Sequence, residues 1–430
     1  MNLLPEPFGV RLRTLRTAQG WSLTELARRL YYSKGHVSRI ETGAQSPSME
    51  FVRRCDAELD AKGALITMMT PEASSGTEIV RHGREDEEVW LMTMTPGGGS
   101  SFTPLGRREV LVGGAVILAG LGLPSVARPG AANVDAQLQH HRRLHDAARG
   151  LGQVAAPTTV LPMLIGQAQA LRSLAKSAHG STAKDVALMT ARTAEFAGWM
   201  AQEAGDEAAA AWWTDKAVDV ATAVGDTQTA GYAMVRRALV TLYQDKGPAT
   251  IELARRAQAH RALSPRVLAL AAQREAQGHA LVGDYDACMR ALDSATKQFA
   301  AARSSGQDGP TIGTSHISDP VAVVTGWCLY DLGRPAEAAQ VLDRAIRDIP
   351  ADAIRARTRF GVRLALAHAA SGELDRSCEL ARELLGNTAM VGSATIRSDV
   401  QRLAVTLRRW NSHSSVRAIE PSLTAALYSS

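Results

Sequence analysis

The chain has 430 residues, 45% of them hydrophobic, 21% charged and 5% aromatic, with a net charge of +5. This length predicts two or three domains rather than one core. Scarce aromatics and abundant alanine favour close-packed helices over β-sandwiches, and the small positive balance is compatible with a nucleic-acid partner.

The opening Met1–Pro7 runs straight into a charged helix and predicts no signal peptide. Phe8, Leu12 and Leu15 recur at helical spacing, and Gly20 ends this first helix. Ser22-Leu23-Thr24-Glu25 has capping-box spacing and starts a second helix over 23–30 that buries Leu26, Ala27 and Leu30. Ser33 caps a third helix that runs to Thr42 and ends at Gly43, and Pro47-Ser48 starts a fourth with Phe51, Val52 and Leu59. Only a few residues join the second and third helices, which forces a sharp angle and projects the third from the surface. A helix presented in this way fits the major groove, about 12 Å wide.

The stretch Leu26-Ala27-Arg28-Arg29-Leu30, followed by Ser33-Lys34-Gly35-His36-Val37-Ser38-Arg39-Ile40-Glu41-Thr42-Gly43, resembles the Cro/C1-type (XRE) helix-turn-helix family. The resemblance covers about 55 residues. It implies that Lys34, Gly35, His36, Ser38 and Arg39 face base edges, with Arg39 suited to grip guanine O6 and N7 together. Gly35 has no side chain to read with and permits close backbone approach. The resemblance also implies an internal ion pair between Arg16 and Glu41. Where the family often has glutamine at the start of the second helix, this chain has Leu23. Phosphate contacts then fall to Ser22, Thr24, Arg28, Ser33 and the backbone N–H groups of the helix starts.

Residues 66–106 read as a linker punctuated by Ser74-Ser75-Gly76 and Gly97-Gly98-Gly99. The run Val89–Met94 allows a short strand there, paired with Thr77–Val80. The glycines lack the Gly-Lys-Ser/Thr that a phosphate-binding loop requires. In 107–130, Arg107-Arg108 precede an apolar run to Leu123, similar to a twin-arginine export signal. The run is too short to cross about 30 Å of hydrocarbon, so it reads as a buried helix on the following domain or in a dimer interface.

From 131 to 412 the pattern is helical. Glycines at 205, 247, 283, 333 and 372 each stand between a preceding and a following helix, and each is expected to supply a left-handed turn. The Gly-x-x-x-x-Ala outline at Gly205–Ala210 and Gly333–Ala338, with Cys288 closing the copy from Gly283, resembles degenerate tetratricopeptide repeats with long loops. Such repeats stack into a solenoid with a concave face. Trp199, Trp212, Trp213, Tyr232, Arg236, Arg237, Tyr243 and Trp327 are candidates to line an effector groove, each weighed against plain core packing. Ser304–Asp319 reads as a polar loop or lid, and 413–430 as a tail.

Cys55, Cys288, Cys328 and Cys378 have no Cys-x-x-Cys spacing and read as reduced cytoplasmic thiols. His141 and His145 share a helix face, but no third ligand or acidic base accompanies them and arginines flank them, so no metal is expected. No nucleophile elbow or nucleotide motif appears, which points away from an enzyme and from any cofactor.

These readings give an all-α protein: a helix-turn-helix domain of four to five helices over 1–65, then an α-solenoid of tetratricopeptide-like helix pairs. The expected function is a transcriptional regulator, by resemblance a repressor. It would bind double-stranded DNA as a homodimer, respond to a peptide or small-molecule effector, and stay in the cytoplasm without stable membrane association. An interaction scaffold with vestigial DNA binding and a membrane-tethered or exported protein are the alternatives.

Overall fold

A computed structural model describes residues 6–69, 89–94, 100–105, 131–260, 262–305, 312–313 and 317–428. The twin-arginine segment, Ser74–Gly76, Thr77–Val80 and Gly97–Gly99 lie outside the described residues.

The N-terminal domain is built from α1 (Phe8–Ala18), α2 (Leu23–Leu30), α3 (Lys34–Glu41), α4 (Met49–Glu58) and the single turn α5 (Ala64–Thr67). Serines set three of the starts: Ser22, Ser33 and Ser48 accept from the N–H of Glu25, His36 and Phe51 at 3.1, 3.2 and 3.3 Å. Only one half of the expected capping box forms. The Glu25 carboxylate turns to Arg28 and Arg29, each 2.8 Å away, which holds its pKa down at about 2. Leu12, Leu26, Leu30, Val37, Ile40, Phe51, Val52 and Leu65 close one apolar core. Buried Asp56 satisfies the start of α5 by accepting from the Gly63 and Leu65 N–H groups.

In the linker, β1 (Val89–Met94) runs antiparallel to β2 (Ser100–Leu105), with Val89 opposite Leu105 and Met94 opposite Ser100. The strand at 89–94 is thus present, but its partner follows it in the chain instead of preceding it.

Fourteen α-helices follow among the described residues: α6 (Ala131–Val154), α7 (Pro157–Ala175), α8 (Gly180–Ala204), α9 (Glu207–Ala223), α10 (Thr227–Tyr243), α11 (Gly247–Gln258), α12 (Pro265–Leu281), α13 (Tyr285–Ser304), α14 (Pro320–Asp331), α15 (Pro335–Arg347), α16 (Ile354–Ala370), α17 (Leu374–Val391), α18 (Ala394–Leu407) and α19 (Ser414–Tyr428). Neighbours in sequence pack as neighbours in space, giving a solenoid-like series of adjacent pairs. Alanines such as Ala276, Ala280, Ala365 and Ala367 are fully buried, so the helices approach closely without large side chains between them. The stretch expected as a tail carries α19, which buries Val416, Ile419 and Leu423 against its neighbours.

Left-handed φ values at Gly205, Gly283, Gly333 and Gly372 make the tight turns between helices. Gly247 departs from that expectation: Asp245, with φ 54°, makes the turn. Gly247 instead sits where a Cβ would lie 2.7 Å from Val282 Cγ1.

The N-terminal domain rests on three of these turns, those of Gly283, Gly333 and Gly372. A Cβ on Gly333 would fall 2.3 Å from the Arg53 carbonyl oxygen, one on Gly283 2.5 Å from Ile66, and one on Gly372 2.7 Å from the Tyr31 ring. Polar contacts surround the seat. Arg53 lies 3.5 Å from Asp331 and 3.6 Å from Asp245, and Arg409 reaches Glu50 at 2.5 Å while covering the Tyr32 ring. No described helix is long and apolar enough to cross a membrane.

Candidate nucleic-acid interface and ligand cavity

The array grips the N-terminal domain through Tyr31, α4 and α5, which leaves the N-terminal face of α3 in solvent. Lys34, Gly35 and Arg39 are exposed and Ser38 is half-buried. Arg39 Nε donates to Gln45 Oε1 at 3.1 Å. Its Nη1 lies 3.5 Å from the place a Gly35 Cβ would take, so Gly35 leaves room for the guanidinium to lie along the helix. Both Nη groups retain donors for an acceptor outside the protein.

His36 differs from its four neighbours. Its ring stacks on Tyr32 at 4.9 Å and meets Phe51 edge-on at 5.5 Å. Burial lowers its pKa, and its Nε2 has no hydrogen-bond partner among the described residues. The side chain assigned to base reading is spent on wedging α3 against α4.

Around α3, Ser22, Thr24, Arg28 and Ser33 are exposed. The two serine oxygens accept from helix N–H groups, and each hydroxyl still has its own proton to donate to a phosphate oxygen. Arg16 and Glu41 fix the base of the helix. Nε and Nη2 of Arg16 donate to the two carboxylate oxygens at 2.6 and 2.9 Å, and Nη1 donates to the Trp21 carbonyl at 2.7 Å. This fork ties the end of α1 to the end of α3 with little solvent access, so both residues act on the pose of α3 and neither faces outward.

The array holds a second site. Trp199, Tyr232, Arg236, Tyr243 and Trp327, five of the aromatic and basic positions singled out in the sequence, line one cavity of about 150 Å³. It shares Arg149, Glu195, Tyr232 and Gly313 with an adjoining space of about 350 Å³. Together the two spaces have the size of a small-ligand site. Trp213 is not part of it: the ring is buried in the core of α6–α9, edge-on to Trp212 at 4.8 Å. Arg237 turns to Asp215 instead. Of the expected loop over 304–319, Ile312 and Gly313 are held at the wall, their carbonyls accepting from Arg266 and Arg149 at 2.6 Å each.

The sequence reading missed the polar part of this lining: Arg149, Glu195, Gln273, Arg274, Arg355 and Arg359. The available signal was arginine inside otherwise apolar helical stretches, as in Leu270-Ala271-Ala272-Gln273-Arg274. Arg355 and Arg359 both pair with fully enclosed Glu203, which also accepts from Ser393 at 2.6 Å. Burial opposes ionisation of Glu203, but the two guanidinium groups outweigh it and hold the carboxyl down at about 2. All four cysteines are buried free thiols, and the described residues hold no cluster able to bind a metal.

Among families of known proteins, the helix-turn-helix domain family matches residues 7–67. That range spans α1 to α5 and contains every residue of the α3 face. No curated protein matches the chain. The N-terminal region is a helix-turn-helix domain, followed by a helical C-terminal region, and this domain points to DNA binding.

Proposed function

We propose that this protein is a sequence-specific transcriptional regulator that binds double-stranded DNA through α3. The observation that carries the proposal is the solvent-facing row Lys34, Gly35, Ser38 and Arg39, held on a helix that the Arg16–Glu41 fork fixes in place. Arg39 is the principal base reader, since a guanidinium offers two parallel donors to guanine. Ser22, Thr24, Arg28 and Ser33 hold the phosphate backbone on either side.

In this reading the protein acts as a homodimer, because one short recognition helix reads few base pairs and two half-sites supply the rest. The helical pairs form a tetratricopeptide-like sensor and dimerisation domain that takes a peptide or small-molecule effector. The regulator works in the cytoplasm as a repressor, without catalysis, cofactor or membrane anchor. Support for a linked switch comes from the seat of the DNA-binding domain on the turns after α12, α14 and α16. Each of these helices also lends residues to the cavity: Arg274, Trp327 and Phe360. An effector that favours one packing of these helices biases the pose of the domain.

In vitro selection of random duplex DNA by the full chain tests the reading. The expected result is enrichment of a two-fold symmetric site with half-sites about 34 Å apart, one helical turn. Failure to enrich any sequence, with and without extracts containing effector, would contradict it.

A further inference from the structure

We infer that the cavity in the helical array binds a small organic acid, its carboxylate held by Arg274 and Tyr243 and its apolar body by Trp199, Phe299, Trp327 and Phe360. The inference rests on the sensor reading of the array and names the chemistry of its effector.

Five arginines line the main cavity: Arg149, Arg236, Arg274, Arg355 and Arg359. Four are committed elsewhere. Arg236 lies 3.3 Å from Glu195, Arg355 and Arg359 share Glu203, and Arg149 donates to the Gly313 carbonyl. Arg274 is the exception. Among the described residues it pairs with no carboxylate, and its Nε has no hydrogen-bond partner. The buried Tyr243 hydroxyl lacks a partner as well. Nε of Arg236 and of Arg359 also lacks a hydrogen-bond partner, but each of those guanidinium groups has a carboxylate beside it, which leaves Arg274 and the Tyr243 hydroxyl as the unmatched pair in this cavity.

Leaving a cation in such a place is unfavourable. Burial pulls the Arg274 pKa down to about 10, yet the side chain stays charged at neutral pH. An anion delivered into the cavity relieves that cost and gains charge-assisted hydrogen bonds. Arg274 and the Tyr243 hydroxyl together offer donors to the two oxygens of a carboxylate. The rest of the ligand must be apolar, since aromatic and aliphatic side chains make up most of the remaining lining. A carboxylate of this kind comes from a small aromatic or aliphatic acid, or from the C-terminus of a short apolar peptide.

The test titrates the full chain by calorimetry with 1-naphthylacetate and N-acetyl-Leu-Phe, each against its neutral amide. Wild type, Arg274→Gln and Arg274→Lys are compared. The expected result is that at least one acid binds about tenfold or more tightly than its amide. That preference disappears in Arg274→Gln and partly survives in Arg274→Lys. Which acid binds separates the two sources. Without ligand, Arg274→Gln melts at or above the wild-type temperature, because it removes an uncompensated charge; this shows that lost binding is not lost folding. Equal binding of acid and amide, no binding of either acid up to about 1 mM, or an undiminished preference in Arg274→Gln would each overturn the inference. The DNA selection is separate: DNA binding without acid preference removes the ligand chemistry alone. Acid preference without DNA selection keeps the site and removes its role as a switch.

Discussion

The Trp327 indole donates a 2.8 Å hydrogen bond to Asp331, one turn further along α14. Trp327 lines the cavity, and the other Asp331 oxygen lies 3.5 Å from Arg53 on α4 of the DNA-binding domain. Cavity wall and DNA-binding domain thus share one carboxylate. Replacing Asp331 by Asn keeps an acceptor for the indole but removes the charge opposite Arg53. The expected outcome is faster amide exchange over α4 and little change in α8–α10. Equal protection of α4 in both proteins would show that this pair does not secure the domain.

The turn glycines allow the seat itself to be tested. Gly205 and Gly333 both have left-handed φ, 87° and 78°, so alanine at either place costs about 1 kcal/mol from the backbone alone. They differ in what a Cβ would meet. At Gly205 it would touch the Ala394 methyl at 3.1 Å, and at Gly333 it would lie 2.3 Å from the Arg53 carbonyl oxygen. Gly333→Ala is expected to release the N-terminal domain to limited proteolysis in the linker, while Gly205→Ala lowers the melting temperature without doing so. Identical proteolysis of the two variants would sink this assignment.

Much of the first domain was legible because its signals are local. Ser22, Ser33 and Ser48 announce helix starts, and the spacing of Leu26, Leu30, Val37 and Ile40 gives the core. His36 was not legible, since its position on α3 says nothing of the Tyr32 and Phe51 rings that draw it inward. The docking of the domain was invisible for the same reason: Gly333 meets Arg53 from far along the chain. In the array, aromatics scattered among alanines marked four cavity residues and a lone basic position a fifth, Arg236, but the aromatic signal also led to Trp213, whose partners are core residues of α6–α9. The free cation Arg274 could be found only once its neighbours were known to be spoken for.

Glu203 predicts a pH dependence. Its folded pKa of about 2 lies below the ordinary carboxylate value of 4.5, so its stabilising effect is complete above about pH 4.5 and fades as pH falls towards 2. Glu203→Gln leaves Arg355 and Arg359 without their counter-charge and is expected to cost about 3 to 5 kcal/mol at neutral pH. The variant should also lose part of the stability decline between pH 4.5 and 2. Parallel stability curves for the two proteins in denaturant titrations would refute the account.

The Arg16–Glu41 fork is expected to matter for the pose of α3 as much as for stability. Glu41→Gln removes the charge opposite a guanidinium with little solvent access, at a cost of about 3 kcal/mol. The loss should appear as an early melting step of the N-terminal domain, with DNA affinity falling in proportion for all sequences. A change in base preference without such melting would mean that Glu41 reads DNA directly.

The most direct test of the central claim is the affinity of the full chain and of Arg39→Ala for the selected duplex and for single-base variants of it, at one fixed salt concentration. Base reading by Arg39 predicts a loss of about 1 to 3 kcal/mol per half-site and relaxed discrimination at a single position, with the other positions unchanged. Unchanged affinity and unchanged discrimination in Arg39→Ala would contradict the assignment of α3 as the helix that reads DNA.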